Sequence, residues 1–486
     1  MTTLSTLLQG IAYRKAVGAT DIAIGSLTYD SRTATAGSCF FATVGTQSDG
    51  HDYIAAAVEA GASAVVCERL PEGDLPCGCT FIVADNSSTA MAVMAANFYG
   101  NPSRRMKVVG VTGTNGKTTV ATLLYDLFRA LGHKAGLVST VVYKIDEREI
   151  ASTHTTPDAI RLNAMMREMA DCGCEYCFME CSSHAIVQRR IHGIEFAGAL
   201  FTNLTHDHLD YHKTFAEYVR AKKLFFDDLP KEAFVLVNID DRNGSVMLQN
   251  TRARKYTLSL RSMADFRCKI IEMLFDGMNL RIDDRDVWVR FLGRFNAYNL
   301  LTVYGAAVLL GADRERVLLE ISNLHSVSGR FEFIAAKDGT TAIVDYAHTP
   351  DALENVIRTV NEIRDRNRRL TVVCGCGGDR DKTKRPEMAA IAVKYADLAI
   401  FTSDNPRTED PEEILHDMIA GVEAGSRYLK ITDRAEAIKT AVMLSNPRDI
   451  ILVAGKGHED YQIIGKEKHH FSDRECVADW FAKFNR

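Results

Sequence analysis

The apolar run 108–111 is followed at once by Gly113-Thr114-Asn115-Gly116-Lys117-Thr118-Thr119. After it, Val120, Leu123, Leu124, Leu127, Phe128 and Leu131 recur at helical spacing. A strand, a glycine-rich turn and a helix in that order make a phosphate cradle, because the free N–H groups of a helix N-terminus point at the anion. The same order lays the helix back over a parallel sheet, so this part of the chain is expected to be α/β. Gly132 is placed to end the helix. The strict GxxxxGK[ST] pattern is not met: Val111 occupies the first glycine position, and the glycines stand at 110, 113 and 116. The flanking strand and helix favour a phosphate loop over a chance turn. Lys117 would neutralise the outer phosphates of ATP, with Thr118 or Thr119 offering a hydroxyl to Mg²⁺.

With 486 residues the chain exceeds one ordinary core, and about three domains are expected. Gly100-Asn101-Pro102-Ser103 interrupts the first pattern as a linker would, and Ser328-Gly329-Arg330 precedes a new strand-rich start at 331–334. The expected domains are therefore 1–100, 101–330 and 331–486. In the third, apolar runs at 342–344, 370–374, 398–401, 428–431 and 450–453 alternate with helical segments. Each run ends in a polar cluster: Asp345-Tyr346-Ala347-His348, Gly377-Gly378-Asp379-Arg380, Asp404-Asn405-Pro406-Arg407, Thr432-Asp433-Arg434 and Gly455-Lys456-Gly457-His458-Glu459. Alternating strands and helices indicate a mostly parallel, Rossmann-like sheet, which binds ligands at the carboxyl ends of its strands.

Lys+Arg 58 against Asp+Glu 63 gives no support to a nucleic-acid partner. The N-terminus lacks the features of a signal peptide. Leu4, Leu7, Leu8 and Ile11 suggest a short amphipathic helix instead. No apolar run is long enough to span a bilayer, so a cytoplasmic protein without membrane insertion is expected. No protein partner is indicated. Twelve scattered cysteines include Cys172, Cys174, Cys177 and Cys181, and the pair Cys374 and Cys376. The spacing of the first four matches no paired CxxC zinc pattern, which favours small core thiols over a metal site.

Thr205-His206-Asp207-His208-Leu209-Asp210-Tyr211-His212 is a second polar cluster. Its imidazoles suit a transition metal, and a polar loop at a strand end fits equally well. Beside a nucleotide loop, a Mg²⁺ held mainly by oxygen is more economical, with Glu180 as an acidic partner and His208 as a candidate.

Together with GTNGKTT and Asn203-Leu204-Thr205-His206-Asp207-His208-Leu209-Asp210, two further segments carry a resemblance: Gly293-Arg294-Phe295-Asn296-Ala297-Tyr298-Asn299 and Asp345-Tyr346-Ala347-His348-Thr349-Pro350. In family order over nearly the whole chain, this pattern resembles the Mur ligases, which join amino acids to the peptidoglycan precursor. The resemblance implies three α/β domains: an N-terminal UDP-binding domain, a central ATPase domain with a mostly parallel sheet, and a C-terminal Rossmann-like amino-acid domain. It implies ATP and Mg²⁺ as cofactors, with Gly113 to Thr119, Asn296, Arg330 and Asp345 on the nucleotide.

Tyr29-Asp30-Ser31-Arg32 and Gly45-Thr46-Gln47-Ser48-Asp49-Gly50 resemble uridine-binding loops, implicating Tyr29, Ser31, Thr46, Gln47 and Ser48. Thr155-Thr156-Pro157 and the run 182–190 resemble contacts to the muramoyl dipeptide, implicating Thr155, Thr156, Ser182, Gln188 and Arg190. His154 stands where the family pattern has asparagine. Thr118, Glu180 and His208 would serve the metal. Lys222, with Lys223 beside it, matches a lysine that the family carries as N6-carboxylysine; Lys117, Lys222 and His208 are then the catalytic set. Asp404-Asn405-Pro406-Arg407 resembles the motif of diaminopimelate-adding members, joined by Arg380, Gly455 and Glu459. The implied reaction joins meso-2,6-diaminopimelate to UDP-MurNAc-L-Ala-D-Glu. A lysine-adding ligase and a folylpolyglutamate synthetase are the alternatives within this chemistry. A P-loop regulatory switch is the alternative outside it, and it is disfavoured by the absence of an Asn-Lys-x-Asp signature.

Overall fold

A computed structural model describes residues 2–45, 48–205, 209–274, 276–365 and 367–486. Three main sheets follow one another along the chain. The first, of five strands, has the order Tyr13–Val17, Thr80–Ala84, Ala64–Cys67, Ser38–Phe41, Ser26–Thr28. Only Tyr13–Val17 runs antiparallel to its neighbour. Ser38–Phe41, Ala64–Cys67 and Thr80–Ala84 are buried at every residue, as strands covered on both faces must be.

Two local expectations in this region change. The amphipathic helix at the N-terminus is one turn, Leu4–Leu7. Leu4, Leu7 and Leu8 are buried as expected, and Ile11, beyond the turn at Gly10 (φ +79°), packs against the same core only partly buried. The break at 100–103 is a packed corner rather than a tether. Gly100 and Asn101 take positive φ, Pro102 and Ser103 are buried, and the Ser103 hydroxyl accepts the Glu195 N–H at 3.1 Å.

The second sheet has eleven strands. Lys107–Thr112, the strand that feeds the glycine loop, lies inside it between Tyr176–Glu180 and Phe196–Phe201, parallel to both. Parallel pairing continues through Ala135–Val138 on one side, and through Phe234–Asn238, Arg254–Ser259 and Phe266–Leu274 on the other. Antiparallel strands finish both edges: Val142–Ile145 with Arg148–Ala151, and Gly277–Ile282 with Arg285–Val289. Towards the edges, Val142–Ile145 and Phe266–Leu274 alternate between more and less buried positions, whereas the central strand Tyr176–Glu180 is buried throughout. The helix Lys117–Ala130 buries Val120, Leu123, Leu124, Leu127 and Phe128 against the sheet. Gly132 at φ +93° follows its end. Cys174, Cys177 and Cys181 pack in the second large core cluster, whereas Cys172, expected to be a core thiol with them, is exposed in the turn that follows its helix. Among the described residues no group of His, Cys, Asp and Glu is arranged to hold a metal.

The third sheet has six strands in the order Glu332–Ala335, Thr341–Asp345, Ile450–Ala454, Leu370–Cys374, Leu398–Phe401, Tyr428–Lys430. All but the first run parallel. The helices Pro350–Ile363, Lys384–Tyr395, Pro411–Ile419 and Arg434–Leu444 connect them. Each apolar run read from the sequence is a strand, and the carboxyl ends Asp345, Ala454, Cys374 and Phe401 open on one edge. Among the described residues no helix is long and apolar enough to cross a membrane.

Candidate active site

At the end of Lys107–Thr112 the loop folds with Gly113 at φ +151° and Gly116 at φ +87°. Neither position has room for a side chain: a Cβ on Gly113 would lie 2.0 Å from Thr202 Oγ1, and one on Gly116 would lie 2.5 Å from Asn299 Oδ1. The loop is fixed from outside. Asn203 accepts the N–H of Thr114 on its carbonyl and that of Asn115 on Oδ1, and Thr202 Oγ1 donates to Asn115 O at 2.6 Å. Lys117 Nζ curls onto the loop, donating to Gly113 O at 3.0 Å and Thr114 O at 2.9 Å. Thr118 and Thr119 are buried in the first turn of the helix.

Lys222 reaches the same loop from the helix Phe215–Asp227. It is 1% exposed, and its Nζ donates to Gly113 O at 2.8 Å. Lys223 faces another way and pairs with Asp227 at 2.5 Å. Of the two neighbouring lysines, geometry therefore brings Lys222 to the phosphate loop. His208, Thr46 and Gln47 lie outside the described residues.

Beside the loop, Tyr176–Glu180 delivers Glu180, whose side chain is fully buried. Its Oε1 accepts the Thr140 N–H at 2.7 Å, while Oε2 has no hydrogen-bond partner. A buried carboxylate oxygen aimed at no donor is costly, and it suits a cation. Around Glu180 the expected dipeptide contacts form one connected network. Thr156 Oγ1 donates to Glu180 O at 2.8 Å, and Ser182 N–H donates back to Thr156 Oγ1 at 3.3 Å. Arg190 NH1 donates to Thr156 O at 2.8 Å, and Arg190 Nε and NH2 grip Gln188 Oε1 at 2.9 and 2.6 Å. Thr155 Oγ1 accepts from Thr140 at 3.0 Å.

The first sheet's loop approaches from the far side. Tyr29 is 47% exposed, and its phenol pKa is raised, first by burial and then by Asp158, while Arg190 opposes the rise. Tyr29 is thus an electrostatic neighbour of the Arg190 network. Ser31 begins the turn Ser31–Thr33, which Asp30 caps through Arg32 N–H at 3.0 Å. Ser48 is exposed in a tight turn, its carbonyl accepting from Gly45 at 2.9 Å.

Arg330 lies at the junction with the third sheet. Its NH2 donates to Thr118 Oγ1 at 3.2 Å, and its guanidinium lies 4.5 Å from the Tyr346 ring centroid. Asp345, at the end of Thr341–Asp345, accepts the N–H groups of Phe331 and Ala347, both at 2.7 Å. Burial raises its pKa, with Arg330 opposing. Asn296 Nδ2 donates to Leu292 O at 2.8 Å. These residues line one pocket together with Asn115, Gly116 and Thr119.

The strand ends of the third sheet form the remaining wall. Asn405, 3% exposed, donates from Nδ2 to Glu459 Oε2 at 2.9 Å, while its Oδ1 accepts Ile463 N–H at 2.9 Å. Pro406 is buried, and Arg407 sits at φ +51° with NH1 donating to Gly378 O at 2.8 Å. Gly455 at φ +121° could not be alanine, whose Cβ would fall 2.5 Å from Asp404 Oδ2. Glu459 has its pKa raised by burial and then by Asp404. Arg380 is exposed at the rim and donates to Asp379 O at 2.9 Å. A large cleft runs from these residues to Thr155 and His184 of the central sheet, past Tyr346 and His458.

Several contributors were assigned no role from the sequence. Thr202 and Asn203 hold the phosphate loop from another strand end. Asp351 accepts Asn115 Nδ2 at 3.0 Å across the junction. Lys456 is wholly buried behind Asn405. Asn203, Lys456 and His458 lie inside polar clusters visible in the sequence, but their roles depend on contacts between distant segments.

Comparison with known proteins follows the same three-part order. The family description "Mur ligase family, catalytic domain" matches residues 23–99, "Mur ligase middle domain" 111–307, and "Mur ligase, glutamate ligase domain" 329–457. A UDP-N-acetylmuramoyl-L-alanyl-D-glutamate--2,6-diaminopimelate ligase of Parabacteroides distasonis is 56% identical over 468 residues, covering 96% of each chain. The protein of that name from Bacteroides thetaiotaomicron is 53% identical, covering 98% of this chain and 99% of its own. A solved structure under the same name superposes with a TM-score of 0.70 at 30% identity, over 100% of this chain and 99% of that one.

Proposed function

Because the chain belongs to the Mur ligase family and is thereby an ATP-dependent ligase, we propose that it joins meso-2,6-diaminopimelate to the D-glutamate of UDP-N-acetylmuramoyl-L-alanyl-D-glutamate. The step belongs to peptidoglycan biosynthesis and takes place in the cytoplasm. Residues 1–100 form the UDP-binding domain, 101–330 the ATPase domain and 331–486 the amino-acid domain.

A carboxylate resists an amine because it is anionic and lacks a leaving group. Transfer of the ATP γ-phosphoryl to the glutamate γ-carboxylate gives an acyl phosphate and ADP. The amine then attacks its carbonyl carbon, phosphate leaves, and the amine gives up a proton as the amide forms. Positioning and charge neutralisation supply most of the catalysis in such transfers. Lys117 holds the outer phosphates, and the N–H groups from Gly116 into the first turn of the helix hold the rest, those of Thr114 and Asn115 being taken by Asn203. Arg330, stacked on Tyr346, bears on the nucleotide from the junction, with Asn296 and Asp345 beside it. Bound Mg²⁺ would neutralise phosphate charge; Glu180, Thr118, His208 and the carbamate of Lys222 would hold it. The unpartnered Glu180 Oε2 fits that role. Thr155, Thr156, Ser182, Gln188 and Arg190 hold the muramoyl dipeptide, and Tyr29, Ser31, Thr46, Gln47 and Ser48 hold its uridine end.

The observation that carries the choice of amino acid is the cleft wall where Arg407 and Glu459 stand together. A guanidinium grips a carboxylate by two parallel hydrogen bonds, and Glu459 answers an ammonium. Arg380, Asp404, Asn405, Pro406 and Gly455 complete that wall. Release of ADP from the purified protein tests the reading. It should need the UDP-muramoyl dipeptide and meso-diaminopimelate together. Turnover of ATP at the same rate without either would refute it.

A further inference from the structure

Lys456 follows the strand Ile450–Ala454 after Gly455, and none of its side chain reaches solvent. Its Nζ donates to Asn405 Oδ1 at 3.0 Å and to Glu459 Oε2 at 3.4 Å, and it stands 3.9 Å from Asp404 Oδ1. Tyr461 covers it, with the ring centroid 5.7 Å from Nζ. A lysine is almost never fully buried unless charges around it require it. Here every polar partner is a residue of the amino-acid cleft.

Charge explains the arrangement. Among the described residues, the charged groups around Asn405 are the anions Asp404 and Glu459 and the cations Arg407 and Lys456, the last buried behind the cleft wall, while Arg380, Asp381, Lys384 and Glu387, two cations and two anions, line the rest of the cleft. The buried Arg434 close behind Asp404 is already matched by Asp473 through two contacts of 2.7 Å. Arg380 is exposed, so solvent screens it. Lys456 is therefore the cation that brings this end to neutrality. The far end of diaminopimelate carries one ammonium and one carboxylate and is neutral overall, whereas the far end of lysine is a bare ammonium.

We infer that Lys456 is a specificity-determining positioning residue: its buried ammonium holds Asn405 and Glu459 in place and keeps the inner cleft neutral, so that the site favours an amino acid with a zwitterionic far end over one with a cationic far end. The inference rests on the proposed ligase reading and adds to it a residue that does not touch the substrate. Removing the charge leaves an excess anion, which repels the distal carboxylate and attracts a lone ammonium.

The test is the ratio of kcat/KM for meso-diaminopimelate over lysine. Lys456→Met should lower that ratio by at least about tenfold, with the loss falling mainly on KM for diaminopimelate. Glu459→Gln leaves an excess cation and should raise the ratio, although both substrates lose the Glu459 contact. The double variant should return the ratio to within a few-fold of the parent. A purely structural lysine would depress both substrates alike. An unchanged or raised ratio in Lys456→Met overturns the inference, as does a shift in the same direction by the two single variants. If Lys456→Met does not fold, Glu459→Gln and the double variant decide, and a double variant that does not fall below Glu459→Gln overturns it. A parent enzyme that does not ligate diaminopimelate at all would instead refute the functional reading on which the inference stands.

Discussion

Lys222 and Lys223 differ by one position and by almost everything that matters chemically. Lys222 is buried against Gly113 O, whereas Lys223 is engaged by Asp227. A bare ammonium beside the phosphate loop would repel a divalent cation, and a carbamate would attract one. Lys222→Ala is therefore expected to lose most ligase activity and to regain part of it with added short carboxylates, which fill the vacated anionic site. Lys223→Ala should stay close to the parent. Full activity in untreated Lys222→Ala would refute the assignment. Arg407 yields a second outcome. Loss of one charged partner in a buried site typically costs about 2–5 kcal/mol, so Arg407→Ala should weaken diaminopimelate use by at least about tenfold. ATP affinity, measured by titration calorimetry, should barely move, and an equal loss of both would place Arg407 elsewhere in the mechanism. Asp404 to Arg407 stood out in the sequence because an apolar strand ends there and because the four residues resemble a family motif; the structure puts Asp404, Asn405 and Arg407 on the cleft wall past that strand end. Lys456 was not legible. Its burial depends on Asp404 and Asn405, about fifty positions away in the chain, and no local pattern encodes a charge balance.

The phosphate loop shows what a short element can and cannot reveal. Its strand, turn and helix stand out because apolar period and glycine placement are local properties. The missing first glycine of the strict pattern causes no difficulty: Val111 is a buried strand residue, and the bend occurs at Gly113. The clamp on the loop came only with the fold, since Thr202 and Asn203 follow a different strand, Phe196–Phe201. Gly116→Ala is expected to be strained twice, by φ +87° and by the 2.5 Å approach to Asn299. It should lower stability by about 1–3 kcal/mol and weaken nucleotide binding. Thermal melting with and without ATP checks both, and an unchanged melting temperature with normal ATP stabilisation would contradict the described loop. The antiparallel edge strands of the central sheet were less legible. Half-exposed strands mix polar and apolar residues, so their period competes with that of surface helices and loops.

In the whole molecule, three sheets bring their strand ends to bear on connected ground. Asn115 donates to Asp351 and Arg330 donates to Thr118, while the charges of Asp158 and Arg190 are felt at Tyr29. The order of the three parts was readable from where the composition breaks, but the way they converge was not. These contacts join residues as much as 236 positions apart. Under the proposed function, that convergence would set the uridine end, the dipeptide, the γ-phosphate and the amine side by side. The most direct test of the substrate is a competition. The purified protein, ATP, Mg²⁺ and UDP-MurNAc-L-Ala-D-Glu are incubated with meso-diaminopimelate and lysine at equal concentration, and the product is weighed by mass spectrometry. The tripeptide bearing diaminopimelate should dominate. Preferential incorporation of lysine, or ATP consumption with no tripeptide formed, would contradict it.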